Sequence, residues 1–351
     1  MADTDDERPS LKALRPLARK PLNLSREGIV KTTFLAPDQP LPLVIEPVGE
    51  SLELVAWLAG NRDLVLEKLS LYGGVLLRGF RCGGVEDFER GVRTISPEML
   101  EYTFRSTPRT EISGRVYSST EYPADQTIPQ HNEMSYTRTW PLKIWFHCIK
   151  NAARGGETPI ADSRKVFERI SPAIREAFAS RGVAYVRNYG GDVDLPWQEV
   201  FQTRDRSVVE EYCREAGIDF EWKSGGSLST RQVAQGIARH PATGEAVWFN
   251  QAHLFHFSSL DPAVQEFLLN EYGEAGLPRN SYYGDGAAIE PEVLEEIREA
   301  YRQESVVFPW QEGDVLLLDN MKVAHGRRPY EGARKVVVGM AESMSSEPVA
   351  G

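Results

Sequence analysis

The sequence predicts a mainly β protein with helical insertions, an α+β chain whose strands form a sandwich or barrel. From residue 143 onward, short runs rich in β-branched and aromatic residues are bounded by turn residues, which is typical of strands. Helical patterns interrupt these strands in groups, without the strict alternation of a doubly wound sheet. The YGG run at 189–191 has neither the spacing nor the following helix of a glycine-rich phosphate loop.

The first 95 residues predict an arm followed by two helices around one buried strand. Residues 1–25 are charged and interrupted by prolines, so we expect a flexible N-terminal arm ahead of a single domain at 26–351. Apolar residues at helical spacing after residue 51 stop at Gly73, a plausible helix end. GVLLRGF at 74–80 then predicts a buried strand, and VEDFERGVRTI at 85–95 predicts a helix.

The rest of the chain predicts groups of strands with helices between them. Strands are expected at KIWFHCIK (143–150), VAYVRNYG (183–190), FEWK (220–223), EAVWFN (245–250), SVVFPW (305–310), DVLLLDN (314–320) and RKVVVGMAE (334–342). Helices are expected at PAIREAFASRG (172–182), RSVVEEYCREAG (206–217), DPAVQEFLLNEYG (261–273) and PEVLEEIREAYRQ (291–303). Most helical insertions therefore fall within about 190–300.

Composition excludes several classes of partner. The formal net charge is -11 over 351 residues, so a nucleic acid or an anionic membrane would be repelled. Three well-separated cysteines argue against a disulfide framework and a thiolate zinc site. Because the N-terminus has no apolar signal region and no window reaches eighteen uninterrupted apolar residues, we expect a cytoplasmic protein. Homo-oligomerisation is left open.

The stretch IPQHNEMSY places His131 and Glu133 two residues apart, where an extended chain turns both side chains to one side. A metal site needs a third ligand, and His325 follows a buried strand at the rim of a sheet. Two histidines and one carboxylate leave three positions of an octahedral ion open, as in non-haem Fe(II) oxygenases. An isolated HxE pair is more often a loop histidine beside a solvated charge, so the context decides.

Five motifs supply that context: HNEMSY, GGETPIADSR, VWFN, PWQEGDVLLLDN and HGRRPYEGARKVVV. Their order resembles that in the taurine dioxygenase and clavaminate synthase-like family of Fe(II)/2-oxoglutarate-dependent oxygenases, especially its SyrP-type branch of amino-acid hydroxylases. The resemblance runs from residue 73 to Glu342. It implies a distorted double-stranded β-helix, the cupin-like jelly roll, with iron at the open end of the sandwich.

The resemblance assigns roles to five residues. His131, Glu133 and His325 are implied to be the iron ligands. Thr158, in the GGET turn, and Arg334 are implied to hold the distal carboxylate of 2-oxoglutarate. The residue types suit this task, because a guanidinium binds a carboxylate bidentately and a threonine hydroxyl adds a donor.

The sequence departs from the family pattern at one position. Some relatives carry a second arginine four residues after the first, in contact with cosubstrate or substrate, whereas this chain has Val338. Arg327, Arg328 and Lys335 are the candidates for the missing cation.

The other histidines are less informative. His147 lies inside an alternating strand and His240 begins the turn HPATG, so both are expected to be structural. Asn250, Gln251 and His253 form a polar cluster among aromatic residues and are candidates for the wall of a substrate pocket, with ordinary helix packing as the alternative.

The resemblance implies that Fe(II), 2-oxoglutarate and dioxygen are the cofactors, with succinate and carbon dioxide as coproducts. We expect hydroxylation of an unactivated aliphatic C–H bond of an amino acid, free or bound to a carrier protein. Glu133 favours hydroxylation, because halogenases of this type lack the carboxylate. Desaturation, cyclisation, a zinc hydrolase using the same three ligands and a non-catalytic jelly-roll binding protein are the alternatives.

Overall fold

The computed structural model describes residues 28–49, 52–102, 110–119, 122–190 and 193–346. The predicted arm at 1–25 lies outside these residues. The described strands are β1 (Val30–Ala36), β2 (Gln39–Pro47), β3 (Gly74–Leu77), β4 (Glu111–Ser113), β5 (Val116–Ser118), β6 (Ile128–His131), β7 (Thr139–Lys150), β8 (Arg154–Gly155), β9 (Ile160–Asp162), β10 (Val183–Tyr189), β11 (Asp219–Trp222), β12 (Leu228–Ala234), β13 (Ile237–Arg239), β14 (Ala246–Trp248), β15 (Arg279–Tyr283), β16 (Val315–Asp319), β17 (Val323–Arg327), β18 (Tyr330–Glu331) and β19 (Lys335–Ser345).

The helices fall into an N-terminal pair and a later group. They are α1 (Leu54–Tyr72), α2 (Val85–Ile95), α3 (Ser163–Arg169), α4 (Pro172–Arg181), α5 (Trp197–Val200), α6 (Arg206–Ala216), α7 (Ala252–Phe255), α8 (Pro262–Gly276) and α9 (Pro291–Glu304). Among the described residues, none of these helices combines the length and the apolar character needed to cross a membrane.

Two β-sheets form the centre of the molecule. The larger has eight strands in the order β1-β2-β3-β16-β7-β19-β5-β4, in which β2 and β3 pair in parallel and the other neighbours are antiparallel. The smaller has three strands in the order β6-β17-β9. Most strands of the large sheet contain several β-branched or aromatic residues, whereas β6, β9 and β17 contain one β-branched residue each.

Residues of the large sheet alternate between two buried faces, as the period of two in a strand requires. On one face, Trp145 and Leu317 pack in the cluster that contains α1 and α2. On the other face, Phe146 and Leu316 pack in a cluster that includes Val323 of the three-stranded sheet. The large sheet is therefore covered by helices on one side and by the small sheet on the other.

The N-terminal helices end and pack as their sequences predict. Gly73 closes α1 in the left-handed region, at φ 79°, and its N–H donates to the carbonyl of Leu69. In α2 the residues Phe88, Val92 and Ile95, at helical spacing, are buried against the large sheet.

The segment from about 190 to 300 contains more than helices. Alongside α5 to α9 it supplies β11, β12 and β15, which join β10 in a four-stranded sheet, and the hairpin of β13 and β14. Helices α4, α6 and α9 close over this sheet through a shared hydrophobic cluster. The insertion is thus a mixed unit, and its core cluster also includes Tyr136, Ala161 and Ala324 from the rest of the chain.

The prediction of a mainly β chain with helical insertions is confirmed, but the strand expected at 305–310 is wrong. That segment forms a single bridge, between Val306 and Ile160. Phe308 and Trp310 are buried in the core, and Pro309 between them cannot donate a ladder hydrogen bond. Apart from this bridge to β9, the apolar residues of the segment fill the space between the sheets without forming a strand.

Gly155 provides a test of how tightly the β8–β18 connection is packed. It has φ +64°, and a Cβ atom there would lie 2.2 Å from the carbonyl oxygen of Pro329. We expect Gly155→Ala to lower the free energy of unfolding by roughly 2–4 kcal/mol, from backbone strain and the clash together. Gly244→Ala is the matched control, because Gly244 has φ +71° and open space around it. Chemical denaturation should give only about 1 kcal/mol for the control, and equal losses would contradict the packing argument.

Candidate metal centre

Pairing of β6 with β17 brings two of the predicted ligands together. His131 lies directly opposite His325 in this register, and their ring centroids are 4.7 Å apart. Glu133 follows the end of β6, and its Oε2 lies 3.6 Å from Nε2 of His325. One ligand atom from each of the three residues lies within 4.8 Å of the others. The three side chains can therefore hold one metal ion.

The hydrogen bond of His131 determines which of its nitrogens is available. Nδ1 lies 2.8 Å from the carbonyl oxygen of Pro129. Because a carbonyl can only accept, Nδ1 carries the proton and Nε2 keeps its lone pair for a metal. His325 is 5% exposed and packs against the ring of Phe146, so its orientation is fixed by the large sheet.

Asn320 holds the backbone of Glu133 from both sides. Its Oδ1 accepts from the N–H of Glu133 at 2.7 Å, and its Nδ2 donates to the carbonyls of Glu133 at 2.9 Å and Pro141 at 2.8 Å. Asn320 is fully buried in the turn between β16 and β17. Nothing in the sequence alone singles out Asn320, because an asparagine after a predicted strand is not distinctive without its partners.

The predicted substrate wall lies behind the metal centre. Nδ2 of Asn250 donates to the carbonyl of Gly236, and Nε2 of Gln251 donates to the carbonyl of Asn132, which lies between two predicted ligands. Both side chains are buried. Both side-chain amides therefore hold backbone segments near the site in place.

His253 is packed in the same layer. Its ring stacks on Tyr301 with centroids 4.7 Å apart, and Nε2 lies 3.3 Å from the carbonyl of Gln130, the residue before His131. Burial, with a contribution from Arg298, lowers the pKa of His253 to about 3, so the ring is neutral at physiological pH. Its contacts support the metal centre from behind.

A cavity opens beside His131 and His325, between the two sheets. Asn250, Gln251 and His253 do not line it. Its lining consists of Ser119, Ile128, His131, Phe146, Thr158, His325, Gly326, Arg327, Arg334, Val336 and Val338.

Thr158 and Arg334, the predicted cosubstrate residues, both face this cavity. Oγ1 of Thr158 accepts from Nε1 of Trp310 at 3.1 Å, which leaves its own hydrogen free to donate. Nε of Arg334 donates to the carbonyl of Gly156 at 2.9 Å, which directs the guanidinium inward. Burial, and then the nearby Arg327, lower the pKa of Arg334 to about 10, which still leaves it charged at neutral pH.

The departure at Val338 is visible in the same cavity. Val338 contributes an apolar wall where some relatives have an arginine. Of the three candidates for the missing cation, Arg328 and Lys335 are exposed, whereas Arg327 is buried and lines the cavity. Strand alternation explains this, because Arg327 shares a face of β17 with His325 and Arg328 does not.

Comparison with known proteins identifies the family. A family model described as taurine catabolism dioxygenase TauD, TfdA family, matches residues 37–341. The chain belongs to this family. It is 44% identical over 276 residues to the dapdiamide synthesis protein DdaC of Enterobacter agglomerans, covering 79% of this chain and 84% of that protein.

One further relative and one solved structure match most of the length of this TauD-family chain. A clavaminate synthase-like protein of Arabidopsis thaliana is 30% identical over 323 residues, covering 87% of this chain and 94% of that protein. The crystal structure of the PvcB protein from Pseudomonas aeruginosa superposes with a TM-score of 0.54 at 16% identity, covering 90% of this chain and 91% of that one. The structural likeness shows a shared fold.

Membership confirms the enzyme class predicted from the motifs, a non-haem dioxygenase with Fe(II), 2-oxoglutarate and dioxygen as cofactors. The zinc hydrolase and the non-catalytic binding protein lose their support, because the family match extends across both sheets and the cavity.

The contacts of Asn320 predict that this residue strongly affects metal affinity, although it touches none of the side-chain atoms that would bind the metal. Asn320→Ala should weaken Mn(II) binding by about 10–100-fold, since loss of supporting hydrogen bonds releases the carboxylate. Asn320→Asp keeps the acceptor for the Glu133 N–H, so its Mn(II) affinity should lie between those of the wild type and Asn320→Ala. Calorimetric metal titration measures the affinity of both variants, with Asn188→Ala as control. Among the described residues, the side chain of Asn188 bonds to Lys223, Ser229, Ala275 and Leu277, which all lie in the segment from about 190 to 300. Wild-type affinity in Asn320→Ala would refute this role.

Proposed function

We propose that this protein hydroxylates an unactivated aliphatic C–H bond of an amino acid, using iron held by His131, Glu133 and His325. The observation that supports this most directly is the convergence of the three ligand atoms beside a cavity that also contains Thr158 and Arg334. Two neutral imidazoles and one carboxylate on one side of an ion are a ligand set suited to Fe(II).

The cavity residues would bind and orient the cosubstrate. Arg334 and Thr158 offer a fixed cation and a hydroxyl donor to the distal carboxylate of 2-oxoglutarate. Phe146, Val336 and Val338 form an apolar wall that excludes water around the chain of the cosubstrate. With dioxygen and 2-oxoglutarate bound, iron at this centre would supply the oxidising chemistry that converts a C–H bond of the substrate into a C–OH group, with release of succinate and carbon dioxide.

Glu133 supports hydroxylation as the outcome. Glu133 is buried, and Asn320 holds its backbone. Its carboxylate occupies the place that a halogenase of this type leaves open for halide. Desaturation and cyclisation use the same centre and differ only in where the substrate is held, so they are the alternative outcomes.

The sheet arrangement supports the finer fold assignment, the distorted jelly roll. The three-stranded sheet β6-β17-β9 faces the eight-stranded sheet across a shared apolar cluster. The three proposed ligands lie at the end of β6, on the central strand β17 and just after β6. We take these two sheets as the two walls of the double-stranded β-helix.

An amino-acid substrate is supported by the motifs of the SyrP-type branch and by the 44% identity to a protein named for dapdiamide synthesis. The acidic net charge would repel an acidic carrier protein, which favours a free amino acid over a tethered one. A sulfonate such as taurine fits less well, because Val338 stands where a second cation is found in some relatives.

The metal assignment is tested by single alanine substitutions. His131→Ala, Glu133→Ala and His325→Ala should each abolish stoichiometric Fe(II) binding and turnover, because each removes one of three ligands. His147→Ala is the matched control, since His147 is a buried histidine that bonds to the carbonyl of Asp314 and stacks on Phe88. Metal analysis after anaerobic loading gives the result, and a His325→Ala protein with full iron content would refute the triad.

The substrate class is tested with a panel of free amino acids, the same amino acids on a carrier domain, and taurine. A free amino acid should support succinate release coupled to a product that gains one oxygen, both read by mass spectrometry. Coupled turnover with taurine alone would overturn the substrate proposal and leave the metal assignment intact.

A further inference from the structure

Arg327 is a buried cation in the cavity with an incomplete set of partners. Its guanidinium donates from Nη1 to the carbonyl of Tyr122 at 2.9 Å, and from Nη2 to those of Pro123 at 2.6 Å and Gln126 at 3.0 Å. Nε, also buried, has no hydrogen-bond partner in the described part of the chain. The side chain is 5% exposed and lines the cavity beside His325.

The partners that Arg327 does have are neutral. Within the described residues neither Arg327 nor Arg334 forms an ion pair with a carboxylate. Both guanidiniums lie over the ring of Tyr330, with distances to its centroid of 5.2 Å and 5.6 Å. Carbonyl dipoles and an aromatic face stabilise a cation but do not neutralise it.

The charges of the proposed assembly show what is missing. Iron(II) is balanced by Glu133 and by the 1-carboxylate of 2-oxoglutarate, and Arg334 is balanced by the distal carboxylate. The charge of Arg327 then has no counterpart. A buried charge without a counter-charge is costly, so the cavity favours one more anionic group.

We propose that Arg327 is a second carboxylate-binding residue of the cavity and replaces the arginine that is absent at position 338. This inference rests on the proposed function. The carboxylate comes either from 2-oxoglutarate, which Arg327 would then share with Arg334, or from the amino-acid substrate. The competing explanation is that Arg327 only fastens the loop at 122–127 that leads into β6.

The first arm of the test measures cosubstrate binding without turnover. Mn(II)-loaded protein is titrated calorimetrically with 2-oxoglutarate, comparing wild type with Arg327→Gln, Arg327→Lys and Arg328→Gln. Arg328→Gln is the matched control, because Arg328 is the exposed neighbour on the same strand end. If 2-oxoglutarate is the partner, Arg327→Gln should weaken its binding on the order of tenfold or more, with partial recovery in Arg327→Lys. A role limited to fastening the loop predicts no recovery, because lysine cannot reproduce the guanidinium fork.

The second arm measures the substrate. The Mn(II)·2-oxoglutarate complex is titrated with free amino acids and with their carboxamides. If the substrate is the partner, the wild type should prefer the acid, and Arg327→Gln should lose that preference while its 2-oxoglutarate affinity is unchanged. Limited proteolysis at 122–127 reports on the loop in every variant.

Either result supports carboxylate binding by Arg327 and identifies its source. Unchanged 2-oxoglutarate affinity in Arg327→Gln, together with an acid preference that is unchanged or absent from the wild type, overturns it. The proposal is also overturned if Arg327→Gln and Arg327→Lys lose 2-oxoglutarate affinity to the same extent and both become open to cleavage at 122–127. Arg334→Gln separates this from failure of the proposed function: if it binds 2-oxoglutarate as tightly as the wild type, the cosubstrate assignment itself is wrong.

Discussion

The register between β6 and β17 is the constraint on which the site depends. It places His131 opposite His325, and it fixes the point at which the chain leaves the strand to present Glu133. A slip of one residue would turn every side chain of the strand to the other face. Asn320 adds a second restraint, because it bonds to Glu133 from the turn that begins β17. The three proposed ligands are thus positioned by backbone pairing and by one amide side chain.

The same strand also explains the electrostatics of the cavity. His325 and Arg327 share one face of β17, so the proposed metal ligand and a buried cation point into the same space. Arg334 enters from β18 and β19, where the Gly155–Tyr330 pairing brings the GGET turn close to it. A positive region with few carboxylates develops between the sheets, although the chain as a whole is acidic.

Much of this could be predicted from the sequence where spacing carries the information. The i, i+2 pair of His131 and Glu133 and the order of the motifs were enough to select three candidate ligands whose side chains the structure brings together. Asn320 could not be selected in the same way, and Arg327 could be named only as one of three candidate cations, because the importance of both residues comes from partners distant in the sequence. The polar run at 250–253 indicated a pocket, yet its amides bond to backbone groups. The apolar run at 305–310 has strand composition, but it fills a gap between sheets.

The apolar wall of the cavity is also part of the hydrophobic core. Phe146, Val336 and Val338 belong to the cluster that joins the two sheets, and they line the cavity as well. A change that enlarges the cavity for a bulkier substrate therefore removes packing from the interior of the sandwich. Substrate range and thermal stability are coupled through these three side chains, so divergence within such a fold requires compensating substitutions elsewhere in the core. Enzyme engineering directed at this wall faces the same trade-off.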